Sequence, residues 1–178
     1  MRAARSRGRN LPAVPTWDPQ LTNWLWRTEP LDPATSVVFD MDGVLSDASR
    51  RQHYIEYPMR DWEAFFHACG DDELIGEVAR LLDVLDDELQ IVLLTARPIR
   101  VQPQTLAWLD RYELRWDVLI MREYGDYMAA RHFKQRTVYE LRERGHDLQL
   151  AFEDDPRNVA MFHGEGVPCI YIHSGYYN

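Results

Sequence analysis

Lysine is almost missing from this chain: of its 20 basic residues 19 are arginine, and the exception is Lys134. Arginine is therefore the default source of positive charge, and a lone ammonium either has a reason or is an accident of a helix surface. Cysteine is nearly as scarce. Cys69 and Cys169 stand far apart with no CxxC spacing, which argues against a disulfide framework or a zinc site and fits a reducing, cytoplasmic setting. No apolar run approaches the roughly 20 residues that span a bilayer, and the opening MRAARSRGRN lacks the apolar stretch of a signal peptide, so neither membrane insertion nor export is expected. The six histidines form no HExxH set, and the HD pair at His146 and Asp147 follows Gly145, a helix-stop residue, so it reads as a turn. No GxxxxGK(S/T) phosphate loop occurs either. A net charge of −9 weighs mildly against broad nonspecific nucleic-acid binding, although local arginine clusters can still grip a phosphate or a strand end.

What is present is enough for one sizeable core: 178 residues, 46% of them hydrophobic. Residues 1–34 divide into a basic tail, with four arginines in the first ten residues, and a lead-in, WDPQLTNWLWRTEPLDP. The tail reads as disordered in preference to a nucleic-acid arm. The tryptophans and prolines of the lead-in suggest irregular chain packing its rings on the domain. From Ser36 onward short apolar runs alternate with helical patterns: SVVF (36–39), QIVLL (90–94), WDVLIM (116–121), LQLAF (148–152) and PCIYI (168–172). Nearly continuous apolar strands of this kind belong to a parallel sheet covered on both faces. Helical spacing recurs from Leu74 to Leu85, near Thr105 to Tyr112, from Phe133 to Arg144 and from Pro156 to Gly164. The expectation is an α/β three-layer domain over residues 35–178, with a five-stranded parallel sheet. The polar, aromatic segment at about 46–70, with one helix opened by Asp61, is expected to form a flap or small lid after the first strand.

The chemistry lies at the strand ends, where open parallel sheets place their ligands. VVFDMDGVLSD ends a buried strand in Asp40 and Asp42, and Gly43 permits the sharp turn beyond them. Two carboxylates this close repel, and a hard cation such as Mg²⁺ is their natural partner; an ordinary strand-to-turn junction is the alternative. After QIVLL comes TAR, where Thr95 offers a hydroxyl and an N–H to a phosphate oxygen with Arg97 close behind, or else caps a helix. After LQLAF comes EDDPRN, where Asp154 and Asp155 could complete a metal shell or cap the helix that Pro156 opens. Lys134 supplies a compact point charge to such a pocket.

Taken in order, DMDGVLSD, TAR, Lys134 and EDD resemble motifs one to four of the haloacid dehalogenase (HAD) superfamily of phosphohydrolases, over a stretch from about Ser36 to the C-terminus. Arg51, eleven residues after Asp40, together with LIMREYGD, VAMFHGEGVPC and the final SGYY, make the chain similar to the 3′-phosphatase domain of phage polynucleotide kinase. The resemblance implies a HAD-like Rossmannoid fold and a Mg²⁺-dependent phosphomonoesterase with an aspartyl-phosphate intermediate, acting on nucleic-acid 3′-phosphate ends. A nucleoside monophosphatase (5′-nucleotidase) or another small-molecule phosphatase on the same fold is the alternative. It further implies Asp40 as nucleophile, Asp42 as general acid and base, Thr95 and Lys134 as phosphoryl ligands, and Arg51 and Arg97 as contacts to the substrate phosphate. Mg²⁺ would be held by Asp40, Asp42 (through its carbonyl) and Asp154, with Asp155 on Lys134 or on a water at the metal. Where that family carries acids four and three positions before its lysine, this chain has Ala130 and Arg131, so any such role is missing or moved, with Asp126 a candidate. Without a phosphate loop, any 5′-kinase would have to be a separate protein, and a separate kinase or ligase is a candidate partner.

Overall fold

The computed structural model describes residues 22–28 and 32–177. The basic tail and much of the lead-in therefore lie outside the described residues. In chain order the elements are β1 (Trp24–Trp26), β2 (Thr35–Phe39), β3 (Ser46–Asp47), α1 (Trp62–His67), β4 (Glu73–Leu74), α2 (Gly76–Val84), β5 (Gln90–Pro98), α3 (Gln102–Arg111), β6 (Val118–Arg122), α4 (Ala130–Glu143), β7 (Asp147–Glu153), α5 (Pro156–Gly164) and β8 (Cys169–Tyr171). All five expected strands form, and they lie parallel in the order β6-β5-β2-β7-β8. The sheet has a sixth member that the lead-in was not expected to supply: β1 pairs antiparallel with β6, Trp24 opposite Ile120 and Trp26 opposite Val118. Alternation explains it. Trp24 and Trp26 pack on one face of the sheet and Leu25 on the other, as the period of two along a strand requires.

The same alternation builds two cores. Phe39 and Leu93 face one cluster with Val78 and Leu82 of α2 and Trp108 and Leu109 of α3. Val38, Val92 and Leu94 face the other, with Phe133, Val138 and Leu141 of α4 and Phe162 of α5. This is the three-layer arrangement that buries a parallel sheet on both sides. Local signals end the elements where they should: Asp61 accepts from the Ala64 N–H at 2.9 Å to cap α1, and Gly145, with φ of +91°, stops α4. Among the described residues no helix is long and apolar enough to cross a membrane.

Between β2 and α2 the chain makes an insertion: β3, a 3₁₀ turn over Ser49–Ile55, α1, a second 3₁₀ turn over Ala68–Asp71, and β4, which pairs with β3 through Ser46 and Leu74. Trp108 of α3 and Tyr112 just after it hold the returning arm, the indole N–H donating to the Asp72 carbonyl at 2.9 Å. The insertion is thereby tied to the carboxyl edge of the sheet, the edge at which β2 releases Asp40.

Candidate active site

At the end of β2 the strand is still held, since the Asp40 N–H donates to the Phe152 carbonyl at 3.0 Å. The chain then tightens, with the N–H groups of Leu45 and Ser46 both donating to the Met41 carbonyl. This tight loop needs Gly43, which has φ of +82°. It turns the two aspartates onto different partners.

Asp40 faces Lys134 and the end of β7. The Lys134 ammonium, 1% exposed, lies 2.8 Å from Asp40 Oδ2 and also pairs with Glu153 Oε1. Asp40 Oδ1 accepts the Met41 N–H at 2.8 Å. Glu153 is held on every side: Asn158 donates to it at 2.6 Å, and the N–H groups of Asp154 and Asp155 donate at 2.7 and 2.9 Å. Asp154 is buried, and its Oδ2 has no hydrogen-bond partner. Asp40, Glu153 and Asp154 each place an oxygen within 4.8 Å of the others. Three buried carboxylates thus meet one ammonium. Burial, with Glu153 and Asp42 adding to it against Lys134, raises the Asp40 carboxyl to about 7. Burial and the charge of Asp40 raise Asp154 to about 9. Both shifts come first from burial, with neighbouring negative charge adding to it. An orphaned carboxylate oxygen beside hard oxygen donors suits a divalent cation such as Mg²⁺.

Asp42 faces the insertion. Its Oδ1 accepts from Arg51 at 2.5 Å and from Arg97 Nε at 2.8 Å. Arg51 in turn makes a two-pronged pair with Asp72, Nε to Oδ1 at 2.9 Å and Nη2 to Oδ2 at 2.7 Å. Ser46 donates to Asp72 at 2.5 Å and accepts from Arg97 at 2.8 Å. Here two carboxylates meet two guanidiniums and the charges balance. Burial alone would raise Asp42, but Arg51 and Arg97 more than reverse it and hold the carboxyl at about 2.

Several sequence expectations change in detail. Arg51 and Arg97 are 2% and 0% exposed and spend their forks on Asp42 and Asp72, so neither guanidinium stands free for a phosphate. The Asp42 carboxyl is taken up by that pairing and lies outside the carboxylate cluster, whereas the metal role expected of Asp42 belongs to its backbone carbonyl. Asp155 does not reach Lys134: it caps α5 by accepting the Arg157 N–H at 2.9 Å and binds the Arg157 guanidinium at 2.7 Å. The inward acidic pair is Glu153 and Asp154. Nor does Asp126 replace the acids absent at Ala130 and Arg131, for it pairs with exposed Arg136 at 2.9 Å. Thr95 lies buried where the register of β5 shifts; its hydroxyl accepts the Arg97 N–H at 3.2 Å and keeps its own proton to donate.

A strand-end Asp-x-Asp, a buried lysine and a second acidic strand end, gathered at one edge of a three-layer parallel sheet, define a phosphatase domain of the HAD type. Residues 34–177 match the family described as the polynucleotide kinase PNKP phosphatase domain, and the chain belongs to that family. Among solved structures it is similar to a chain of the Pnkp1/Rnl/Hen1 RNA repair complex, at 23% identity and a TM-score of 0.67, over 88% of this chain and 47% of that one. It also shares its fold with a haloacid dehalogenase-like hydrolase of Streptococcus pneumoniae, at 14% identity and a TM-score of 0.52, over 78% of this chain and 84% of that one. Over 96 residues it is 29% identical to YqfW of Bacillus subtilis (strain 168), a protein with a nucleotidase name, covering 53% of this chain and 44% of that protein. The chain spans about half the length of the repair-complex chain and of YqfW.

Proposed function

We propose that this domain removes phosphate from the 3′ ends of nucleic acids through a covalent aspartyl-phosphate on Asp40. The observation that carries the chemistry is the division of two neighbouring aspartates: Asp40 sits against Lys134, and Asp42 sits 2.5 Å from two guanidinium groups. Asp40 attacks phosphorus, which needs its carboxylate ionised. Lys134 holds it toward the reacting centre and keeps a third N–H for a phosphoryl oxygen, a role that the Thr95 hydroxyl shares. Asp40 and Asp154, whose Oδ2 lacks a partner, would hold Mg²⁺ with the Asp42 carbonyl. The ion, when bound, supplies positive charge that lowers both raised carboxyl pKa values and offsets charge developing on the phosphoryl oxygens.

Asp42 is the proton donor to the leaving alkoxide and then the base toward water. Its two arginines favour the ionised form, so donation requires that Arg51 or Arg97 be drawn off it. A phosphate dianion is a partner able to do so, which gives those residues their part in substrate binding. The match to a polynucleotide-kinase phosphatase family favours a strand end as substrate. The similarity to a nucleotidase-named protein supports a second reading, hydrolysis of free nucleoside monophosphates. A Mg²⁺ assay on matched 3′- and 5′-phosphorylated oligonucleotides and free nucleotides separates them. Preference for the 3′-phosphorylated strand is expected; faster turnover of mononucleotides would replace the first reading with the second.

A further inference from the structure

Six of the eleven large apolar side chains exposed among the described residues lie in two segments: Tyr57, Met59 and Trp62 on the insertion, and Tyr124, Tyr127 and Met128 after β6. Both segments leave the carboxyl edge of the sheet, and Pro98 paired with Arg122 brings the ends of β5 and β6 together there. On the insertion, His53, Tyr54, Met59 and Trp62 line a groove of about 670 Å³. The Trp62 ring rests on Phe66 at 5.9 Å and meets Phe65 edge-on at 5.7 Å, yet the residue stays 46% exposed. Phe65 carries the Arg51 guanidinium on its face at 4.2 Å, and Arg51 holds Asp42. The groove is therefore two aromatic rings away from the site.

The charges at the groove are unequal in what they are free to do. Asp61 is engaged in capping α1, and Glu63 is paired with Arg100 at 2.7 Å. Arg60 is exposed and has no carboxylate within ion-pair distance among the described residues. The groove thus offers ring faces together with one uncommitted cation. An apolar peptide would have no use for that cation, whereas an unpaired nucleobase next to a phosphodiester uses both.

We propose that this groove is a subsite for an unpaired base close to the reacting 3′ end, with Trp62 as the stacking platform and Arg60 on the neighbouring phosphodiester; it rests on the nucleic-acid reading above. The test compares a 3′-phosphorylated oligothymidylate, the same strand with abasic sites at its last two positions, and p-nitrophenyl phosphate. Trp62→Ala should raise KM for the intact strand about tenfold, within the range base stacking supports, and should have little further effect on the abasic strand. Trp62→Phe should restore most of the loss, and Arg60→Ala should flatten the salt dependence of KM for the strand. Equal losses on intact strand, abasic strand and p-nitrophenyl phosphate, or an unaltered KM for the intact strand, overturn the subsite. Failure of the underlying reading is visible separately, in wild-type enzyme that turns over mononucleotides faster than strands, and the subsite then falls with it.

Discussion

Gly43 and Asp154 approach so closely that a Cβ placed on the glycine would lie 1.9 Å from Asp154 Oδ2. The glycine also has φ of +82°, where any other residue is strained by about 1–2 kcal/mol. Its conformational freedom and its small size are thus both used, and the second keeps the orphaned carboxylate in place. Gly43→Ala should therefore lower Mg²⁺ affinity and turnover by about 10²-fold, the scale of a misplacement of roughly 1 Å, with a modest fall in melting temperature. Wild-type turnover in this variant would show that Asp154 is free to move.

Asp72 should prove as important to stability as any core residue. It is 3% exposed and binds Arg51, Arg97 and Ser46 together. Asp72→Ala leaves two buried guanidiniums facing Asp42 alone, and breaking a buried pair of this kind costs about 3–5 kcal/mol. Denaturant midpoints measure it. A loss under 1 kcal/mol would mean that water enters and solvates the arginines.

Asp40 and Asp42 were legible in sequence because a short buried strand that ends in two acids has no packing explanation. Lys134 was legible because the chain uses arginine everywhere else. Of the three consecutive acids at 153–155, sequence pointed to Asp154 and Asp155 as the inward pair and gave Glu153 no role. The strand pleat and the helix cap decide otherwise, and they turn Glu153 and Asp154 to the site and Asp155 to the Arg157 N–H. Asp72 carries no local signal at all, since its partners Arg51 and Ser46 lie 21 and 26 positions earlier. The edge strand at Trp24–Trp26 is too short, at three residues, for alternation to be read between flanking prolines.

Lys134→Arg keeps the charge and should still fail. The ammonium is 1% exposed between Asp40 and Glu153, and a planar fork is larger than the point charge it would replace. Displacing Asp40 by about 1 Å should reduce turnover about 10²-fold on every phosphate ester. A small change in rate would place Lys134 outside the reaction, as a structural counter-ion only.

Mg²⁺ should stabilise the fold more as pH rises. Without a cation, burial raises Asp40 from 3.8 to about 7 and Asp154 from 3.8 to about 9. A carboxyl whose folded pKa lies above its unfolded one favours the fold fully below the unfolded value. That contribution is lost as pH climbs through the folded one, so metal-free protein should lose stability between about pH 4 and pH 9 from these two groups. Asp42 runs the other way: held at about 2, its contribution is complete above 3.8 and lost as pH falls toward 2, outside the window of the first two. A bound cation removes the cost of ionising Asp40 and Asp154, and it competes with their protons. The melting-temperature gain from saturating Mg²⁺ should be small at pH 5 and should grow steadily to pH 9. Asp154→Asn should reduce the gain at high pH while raising the melting temperature of the metal-free protein there, because it removes a buried charge. A Mg²⁺ effect independent of pH, or one retained in Asp154→Asn, would move the cation away from this cluster.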